Sequence, residues 1–105
     1  FGQLGEIIKA VKSSRLKACL DTAHAFESGY NLGEVGGLDK ALEEFDHEIG
    51  LERLVVVHTN DSKTPLSSGV DRHENIGQGY IGESGFRIIV NHPSLKRLPF
   101  IIETP

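Results

Sequence analysis

The sequence has few of the features that characterise secreted or membrane-spanning proteins. Cys19 is the single cysteine among 105 residues, so a disulfide framework within one chain is excluded. No stretch of about 18 apolar residues and no secretory signal is present, so the sequence predicts no membrane partner. Because Cys19 lies within an apolar segment, we expect its thiol to be buried as a small hydrophobic side chain. These absences favour a soluble, intracellular protein.

The chain also lacks an initiating methionine and is too short for a closed β/α barrel. It starts at Phe1 and stops at Pro105, directly after a predicted strand that has no covering helix. A complete eight-stranded barrel needs about 250 residues. We therefore expect residues 1–105 to form a single partial domain of a longer protein.

The formal net charge of −4 argues against a nucleic-acid partner, because phosphate binding favours a basic surface. Two bound divalent ions would cancel this charge, and the ions themselves would attract phosphate. Charge alone therefore leaves the class of partner open.

Predicted helices and strands alternate along the chain. Apolar residues at helical spacing predict helices over residues 3–12, 38–49 and around 86–90. Short apolar segments predict strands at residues 17–21, 53–58 and 100–103. The middle strand is largely β-branched, and we expect both of its faces to be buried. This alternation favours an α/β fold with parallel strands and right-handed crossovers.

Each predicted strand ends on a residue that commonly binds metal ions, namely Asp21, His58 and Glu103. The carboxyl ends of parallel strands meet at one rim, where barrel enzymes carry their catalytic residues. Carboxylates and imidazole together suit a divalent ion such as zinc or manganese. The sequence therefore predicts a metal site on the rim of a hydrolase or isomerase barrel.

A second group of candidate ligands comprises His24, Asp71 and His73. Asp71 and His73 are one residue apart, so their side chains face the same way if the loop is extended. Two imidazoles and a carboxylate are a common ligand set for catalytic zinc. A solvated Asp-Arg-His loop is the alternative. The segment 59–82 is long enough to indicate a functional connection.

The same long segment contains glycines and cations near these ligands. The sequence GQGYIG at residues 77–82 has dinucleotide-fingerprint spacing, but it lacks the preceding strand that the fingerprint requires. We expect these glycines to permit close backbone approach to a ligand, with a nearby helix start receiving phosphate. Lys63 and Arg72 are candidate phosphate-binding residues in the same segment.

Several segments resemble the endonuclease IV family of abasic-site endonucleases. They are LDTAHAFESGY at residues 20–30, HTNDSK at 58–63, VDRH at 70–73, IGQGYIG at 76–82 and IETP at 102–105. The resemblance covers nearly the whole chain, and the pair HTNDSK and VDRH is its most specific part.

This resemblance implies a fold, an activity and a set of ligands. The chain would form the last three βα units of an eight-fold, xylose-isomerase-like TIM barrel. The whole enzyme would bind up to three zinc ions and hydrolyse the phosphodiester 5′ to abasic sites, leaving a 3′-hydroxyl. The family implies one incomplete zinc site, with Glu103 also catalytic, and one complete site. The first would use Asp21, His58 and Glu103, and the second His24, Asp71 and His73.

The resemblance also implies double-stranded DNA containing abasic sites as partner, and a cytoplasmic or nucleoid-associated enzyme that is monomeric when complete. One alternative is a xylose-isomerase-like sugar isomerase or epimerase with a single divalent metal, which would have no use for Asp71 and His73. Another is a non-catalytic module that binds metal or DNA. Three strands leave unpaired sheet edges, so we expect the chain by itself to be inactive.

Overall fold

A computed structural model describes residues 1–11 and 15–103 of the chain. The helices are α1 (Gly2–Val11), α2 (Thr22–Glu27), α3 (Val35–Glu48) and α4 (Gly82–Asn91), with a 3-10 turn at Leu51–Arg53. The strands are β1 (Ala18–Asp21), β2 (Leu54–His58), β3 (Asp61–Ser62), β4 (His73–Glu74) and β5 (Phe100–Ile101). No helix within these ranges is long and apolar enough to cross a membrane. Residue 12 of the first predicted helix and residues 104–105 lie outside the described ranges.

The main sheet is parallel, as predicted, with strand order β1-β2-β5. Asp21 at the end of β1 pairs with His58 at the end of β2, and His58 pairs with Ile101 of β5. All three strands therefore finish at the same edge of the sheet. This edge carries the first group of candidate ligands.

The hydrophobic core lies between the sheet and the helices. Leu20 of β1 and Val57 of β2 are buried in one cluster with Leu38 and Phe45 of α3 and Ile89 of α4. These apolar residues follow the helical and strand periods that the sequence shows. Their burial holds the sheet against α3 and α4, and so sets the position of its carboxyl edge.

Two expectations about burial are wrong. Cys19 of β1 is exposed, and Val55 of β2 is 42% exposed, so β2 is not buried on both faces. Successive side chains on a strand point to opposite faces of the sheet. Within this chain the helices cover one face of the sheet, and Cys19 lies on the other face.

The last strand and the long connection also differ from the expectation. β5 ends at Ile101, so Glu103 lies two residues beyond the strand instead of at its end. The connection after β2 contains a short antiparallel hairpin, in which Asp61 pairs with Glu74 and Ser62 with His73. The sequence did not indicate this hairpin, because two-residue strands have no detectable period.

Helix α1 packs closely against α3 through Gly5. A Cβ atom at Gly5 would overlap the backbone carbonyl group of Glu48, at the end of α3. A Cβ atom at Gly36, near the start of α3, would meet no neighbouring atom within 4 Å. The two glycines therefore offer a matched pair for testing this contact.

We expect Gly5→Ala to lower the free energy of unfolding by about 1–3 kcal/mol, because the added methyl group forces α1 away from α3. Gly36→Ala should leave it unchanged or raise it by up to about 1 kcal/mol, since alanine favours helix. Urea denaturation of the whole protein, followed by circular dichroism, measures both values. Equal stabilities of the two variants would contradict the close packing of α1 on α3.

Candidate metal centre

Asp21, His58 and Glu103 come together at the carboxyl edge of the sheet. Each offers one possible ligand atom, and these three atoms lie within 4.8 Å of one another. The Nδ1 atom of His58 is 2.8 Å from Oε1 of Glu103. Across residues 1–11 and 15–103, this is the one group of His, Cys, Asp or Glu side chains with that geometry.

The chemistry of this group fits a divalent cation. Two carboxylates and one imidazole supply mixed oxygen and nitrogen donors, which zinc binds at about 2.0–2.2 Å. The donors are close enough for small side-chain movements to bring them onto one ion. The Glu103 side chain is 47% exposed, so the centre is open to solvent on one side.

The second group of candidate ligands lies beside the first. Oδ1 of Asp71 is 3.4 Å from Nε2 of His73, and Oδ2 of Asp71 is 3.9 Å from Nδ1 of His24. Asp71 therefore lies between the two imidazoles. His73 also approaches the first group, because its Nε2 is 3.7 Å from Oδ2 of Asp21. The structure brings all six candidate ligands to one rim.

The electrostatic environment of His73 favours positive charge. Burial lowers the pKa of His73, but the hydrogen bond with the Glu103 carbonyl and the carboxylates of Asp21, Asp71 and Glu103 outweigh it. The net effect raises the pKa of His73 above its usual value of 6.5. Carboxylates that favour a proton on His73 also favour a metal cation at the same place.

The start of α2 positions one candidate ligand from each group, Asp21 and His24. Asp21 is the N-cap of α2, where its Oδ1 accepts a hydrogen bond from the backbone N–H of His24 at 3.0 Å. Aspartate is a preferred N-cap residue because its carboxylate satisfies a free N–H of the first turn. The spacing Asp-x-x-His thus starts the helix and sets His24 beside Asp21.

Lys63 and Arg72, the predicted phosphate-binding residues, flank the candidate ligands. The backbone N–H of Lys63 donates to the carbonyl of Arg72 at 3.0 Å, which extends the hairpin. Both residues line an open cavity of about 370 Å³ with Asp71, His73 and Glu103. Two cationic side chains therefore border the same cavity as three candidate ligands.

The glycine loop is organised by a buried carboxylate and not by an external anion. Asp61 is fully buried. Its two oxygens accept hydrogen bonds, at 2.8–3.4 Å, from the backbone N–H groups of Ser62, Gly77, Gly79, Ile81 and Gly82. A Cβ at Gly79 would overlap the Ser62 carbonyl and this carboxylate, which explains the glycine. Asp61 therefore already occupies the N–H groups of Gly77, Gly79, Ile81 and Gly82, and these four are not available to the phosphate that was expected at this loop.

We expect Asp61→Asn to lower the free energy of unfolding by about 2–3 kcal/mol, because its NH2 group would face backbone N–H groups left without an acceptor. Asp46→Asn is the control, since Asp46 is exposed and accepts one hydrogen bond, from Leu51 N at 2.9 Å. Asp46→Asn should lower the free energy of unfolding by less than about 1 kcal/mol. Urea denaturation and amide exchange at Gly79 measure the effects, and similar losses in both variants would contradict the role of Asp61.

Glu27 is a second buried carboxylate, and no sequence pattern indicated its role. Its Oε2 accepts hydrogen bonds from Ser62 Oγ at 2.5 Å, Thr64 Oγ1 at 3.1 Å and the Arg72 backbone N–H at 3.3 Å. Its backbone carbonyl accepts from Gly69 N at 3.0 Å. Glu27 thereby ties α2, which carries His24, to the loop that carries Asp71. The sequence around a glutamate in a helix does not show whether its side chain is buried or exposed to solvent.

The comparison with protein families agrees with this architecture. Residues 1–105 match the model of a family described as the Xylose isomerase-like TIM barrel. The chain belongs to this family, and the predicted fold class, a part of a TIM barrel of this type, is confirmed. A closed barrel places catalytic side chains at the carboxyl ends of its strands, which is where the candidate ligands lie.

Several similar proteins are named endonuclease 4 or endonuclease IV. The chain is 49% identical over 106 residues to "Probable endonuclease 4" of Alkaliphilus oremlandii, covering all of this chain and 37% of that protein. It is 52% identical over 103 residues to "Probable endonuclease 4" of Methanoculleus marisnigri, covering 97% and 36%. It also resembles the crystal structure of endonuclease IV from Thermus thermophilus, with a TM-score of 0.80, 42% identity, and 96% and 36% coverage. The resemblance inferred from the motifs is confirmed, and the chain spans little more than a third of these relatives.

Proposed function

We propose that the whole protein is a DNA repair endonuclease that hydrolyses the phosphodiester 5′ to abasic sites and leaves a 3′-hydroxyl. The observation that carries this proposal is the convergence of Asp21, His58 and Glu103 within 4.8 Å at the carboxyl edge of the parallel sheet. The similarity to proteins named endonuclease 4 supports DNA as the substrate.

We further propose that zinc is the metal. Asp21, His58 and Glu103 would hold one ion, and His24, Asp71 and His73 would hold another. Bound zinc supplies Lewis acidity, which favours deprotonation of water near neutral pH and stabilises charge on phosphate. In the whole protein we expect up to three ions, one of them fully and one partly held by this chain.

The side chains of this chain have separate roles in the proposed reaction. Water would lose a proton as it attacks phosphorus, the bond between phosphorus and the 3′-oxygen would break, and the 3′-oxygen would take up a proton and leave as the 3′-hydroxyl. Glu103 borders the open cavity and would orient the attacking water, while Lys63 and Arg72 would bind phosphate oxygens. An abasic nucleotide costs less to extrude than a paired one, which favours damaged sites.

The position of Asp71 argues against the single-metal sugar isomerase. Asp71 lies between His24 and His73, at 3.9 Å and 3.4 Å, and these three side chains would have no role in a site that needs one ion. The similar proteins of Alkaliphilus, Methanoculleus and Thermus are named endonuclease 4 or endonuclease IV, and none of the three is named an isomerase.

We expect His73→Ala in the whole protein to remove one zinc ion per chain and to lower the rate of incision more than about 100-fold. Even substitution of a residue that only hydrogen-bonds to a metal ligand lowers metal affinity or activity about 10–100-fold. His47→Ala is the control, because that imidazole is 85% exposed on α3. Element-resolved metal analysis and cleavage of an abasic duplex measure both effects. One manganese or magnesium ion that is unaffected by His73→Ala would favour the sugar isomerase instead.

We expect Lys63→Gln and Arg72→Gln each to weaken binding of abasic duplex and to reduce the slope of log Kd against log salt by about 1, because each removes one phosphate contact. Arg87→Gln is the control, since Arg87 pairs with Glu83 on the surface of α4. Fluorescence anisotropy over a range of salt concentrations measures the slope. A slope that is the same in all three variants would contradict the phosphate contacts.

A further inference from the structure

Asn60 is a fully buried amide that joins two of the candidate ligands. Its Nδ2 donates hydrogen bonds to Oδ2 of Asp21 and to Oε1 of Glu103, both at 3.3 Å. Its Oδ1 accepts a hydrogen bond from the backbone N–H of Glu103 at 2.9 Å. The side chain therefore contacts both carboxylates of the first ligand group and the backbone of one of them.

The orientation of this amide follows from its partners. The backbone N–H of Glu103 is only a donor, so it requires the carbonyl oxygen of Asn60. The NH2 group must then face the carboxylates of Asp21 and Glu103, which accept from it. An asparagine fits this arrangement, whereas an aspartate would place a third negative charge beside the other two.

Asn60 also explains how Glu103 is held beyond its strand. The ladder between β2 and β5 ends near Ile101, whose carbonyl accepts from Thr59 N at 2.6 Å. The backbone leaves the strand after Ile101, and the next interaction with the β2 side is the bond from Glu103 N to Asn60. The side chain of Asn60 thus continues the contact between the two chain segments beyond the strands, as far as the candidate ligand Glu103.

The backbone of Asn60 is itself held by Thr22, which follows Asp21 in the chain. Thr22 Oγ1 accepts from Asn60 N at 2.9 Å and donates to the Asn60 carbonyl at 2.6 Å. Both residues are fully buried. This pair connects the start of α2 to the end of β2, so Asn60 has little freedom to move relative to Asp21.

We propose that Asn60 is a positioning residue for metal binding, which sets the separation and orientation of the Asp21 and Glu103 carboxylates before an ion enters. The identity of the ion rests on the proposed function. Two carboxylates that face one site repel each other, and a neutral N–H donor shared between them reduces that repulsion. Groups that orient metal ligands in this way contribute about 10–100-fold to metal affinity.

The test compares zinc affinity in the whole protein and its variants, with a competing chelator. We expect Asn60→Ala to raise the Kd of the affected zinc site about 10–100-fold and Asn60→Ser, which keeps a hydroxyl donor, to raise it less. Asn75→Ala is the control, because Asn75 is exposed in the same connection. The zinc Kd of this variant should equal that of the unaltered protein. Cobalt substitution provides a second readout, since its visible spectrum reports the ligand geometry at this site.

A role in stability alone predicts a different result. In that case Asn60→Ala would lower the free energy of unfolding but leave the zinc Kd and the cobalt spectrum as in the unaltered protein, and this result would overturn the proposal. If Asn60→Ala does not fold, Asn60→Ser and Asn60→Asp test the proposal instead. Zinc Kd values in these variants equal to that of the unaltered protein would contradict a positioning role for Asn60. Unaltered protein that binds zinc but does not cleave abasic DNA would instead overturn the proposed function.

Discussion

Parallel pairing of β1 with β2 places Asp21 opposite His58, and the candidate metal centre depends on that register. Side chains alternate between the faces of a strand, so a slip of one residue would turn His58 towards the helices. Burial of Leu20 and Val57 against α3 and α4 opposes such a slip, because the slip would expose them. The hydrophobic core thus determines where the polar rim lies.

Buried polar residues directly after β2 fix the position of the long connection that follows this strand. Asn60, Asp61 and Ser62 are consecutive and fully buried, and each is hydrogen-bonded to a different part of the rim. Asn60 contacts the first ligand group, Asp61 holds the glycine loop, and Ser62 donates to Glu27. Buried polar groups are costly unless they are paired, so these bonds hold the connection in one conformation.

The sequence predicted the parallel sheet, the helices that cover it and the six candidate ligands. These features depend on local period, on residue type at predicted strand ends and, for His24, Asp71 and His73, on residue type and spacing in the connections, all of which can be read without the fold. It did not predict the hairpin, because Asp61–Ser62 and His73–Glu74 are too short to show a period. It also placed Glu103 inside its strand, whereas the structure holds that residue beyond the strand through Asn60.

The sequence by itself determined the architecture, since apolar periodicity specifies helices and strands. It also supplied the candidate metal ligands, because carboxylates and imidazoles are common ligands of divalent metal ions. The tertiary structure alone decided which buried polar side chains support those candidate ligands and the loops around them. Glu27 and Asp61 look like ordinary surface acids in the sequence, yet both are buried and organise loops that are distant along the chain. Such roles depend on hydrogen-bond partners that lie 16 to 45 residues away, for example Gly77 N for Asp61 and Arg72 N for Glu27. No local pattern contains that information, because it arises only when folding buries the group and supplies its partners.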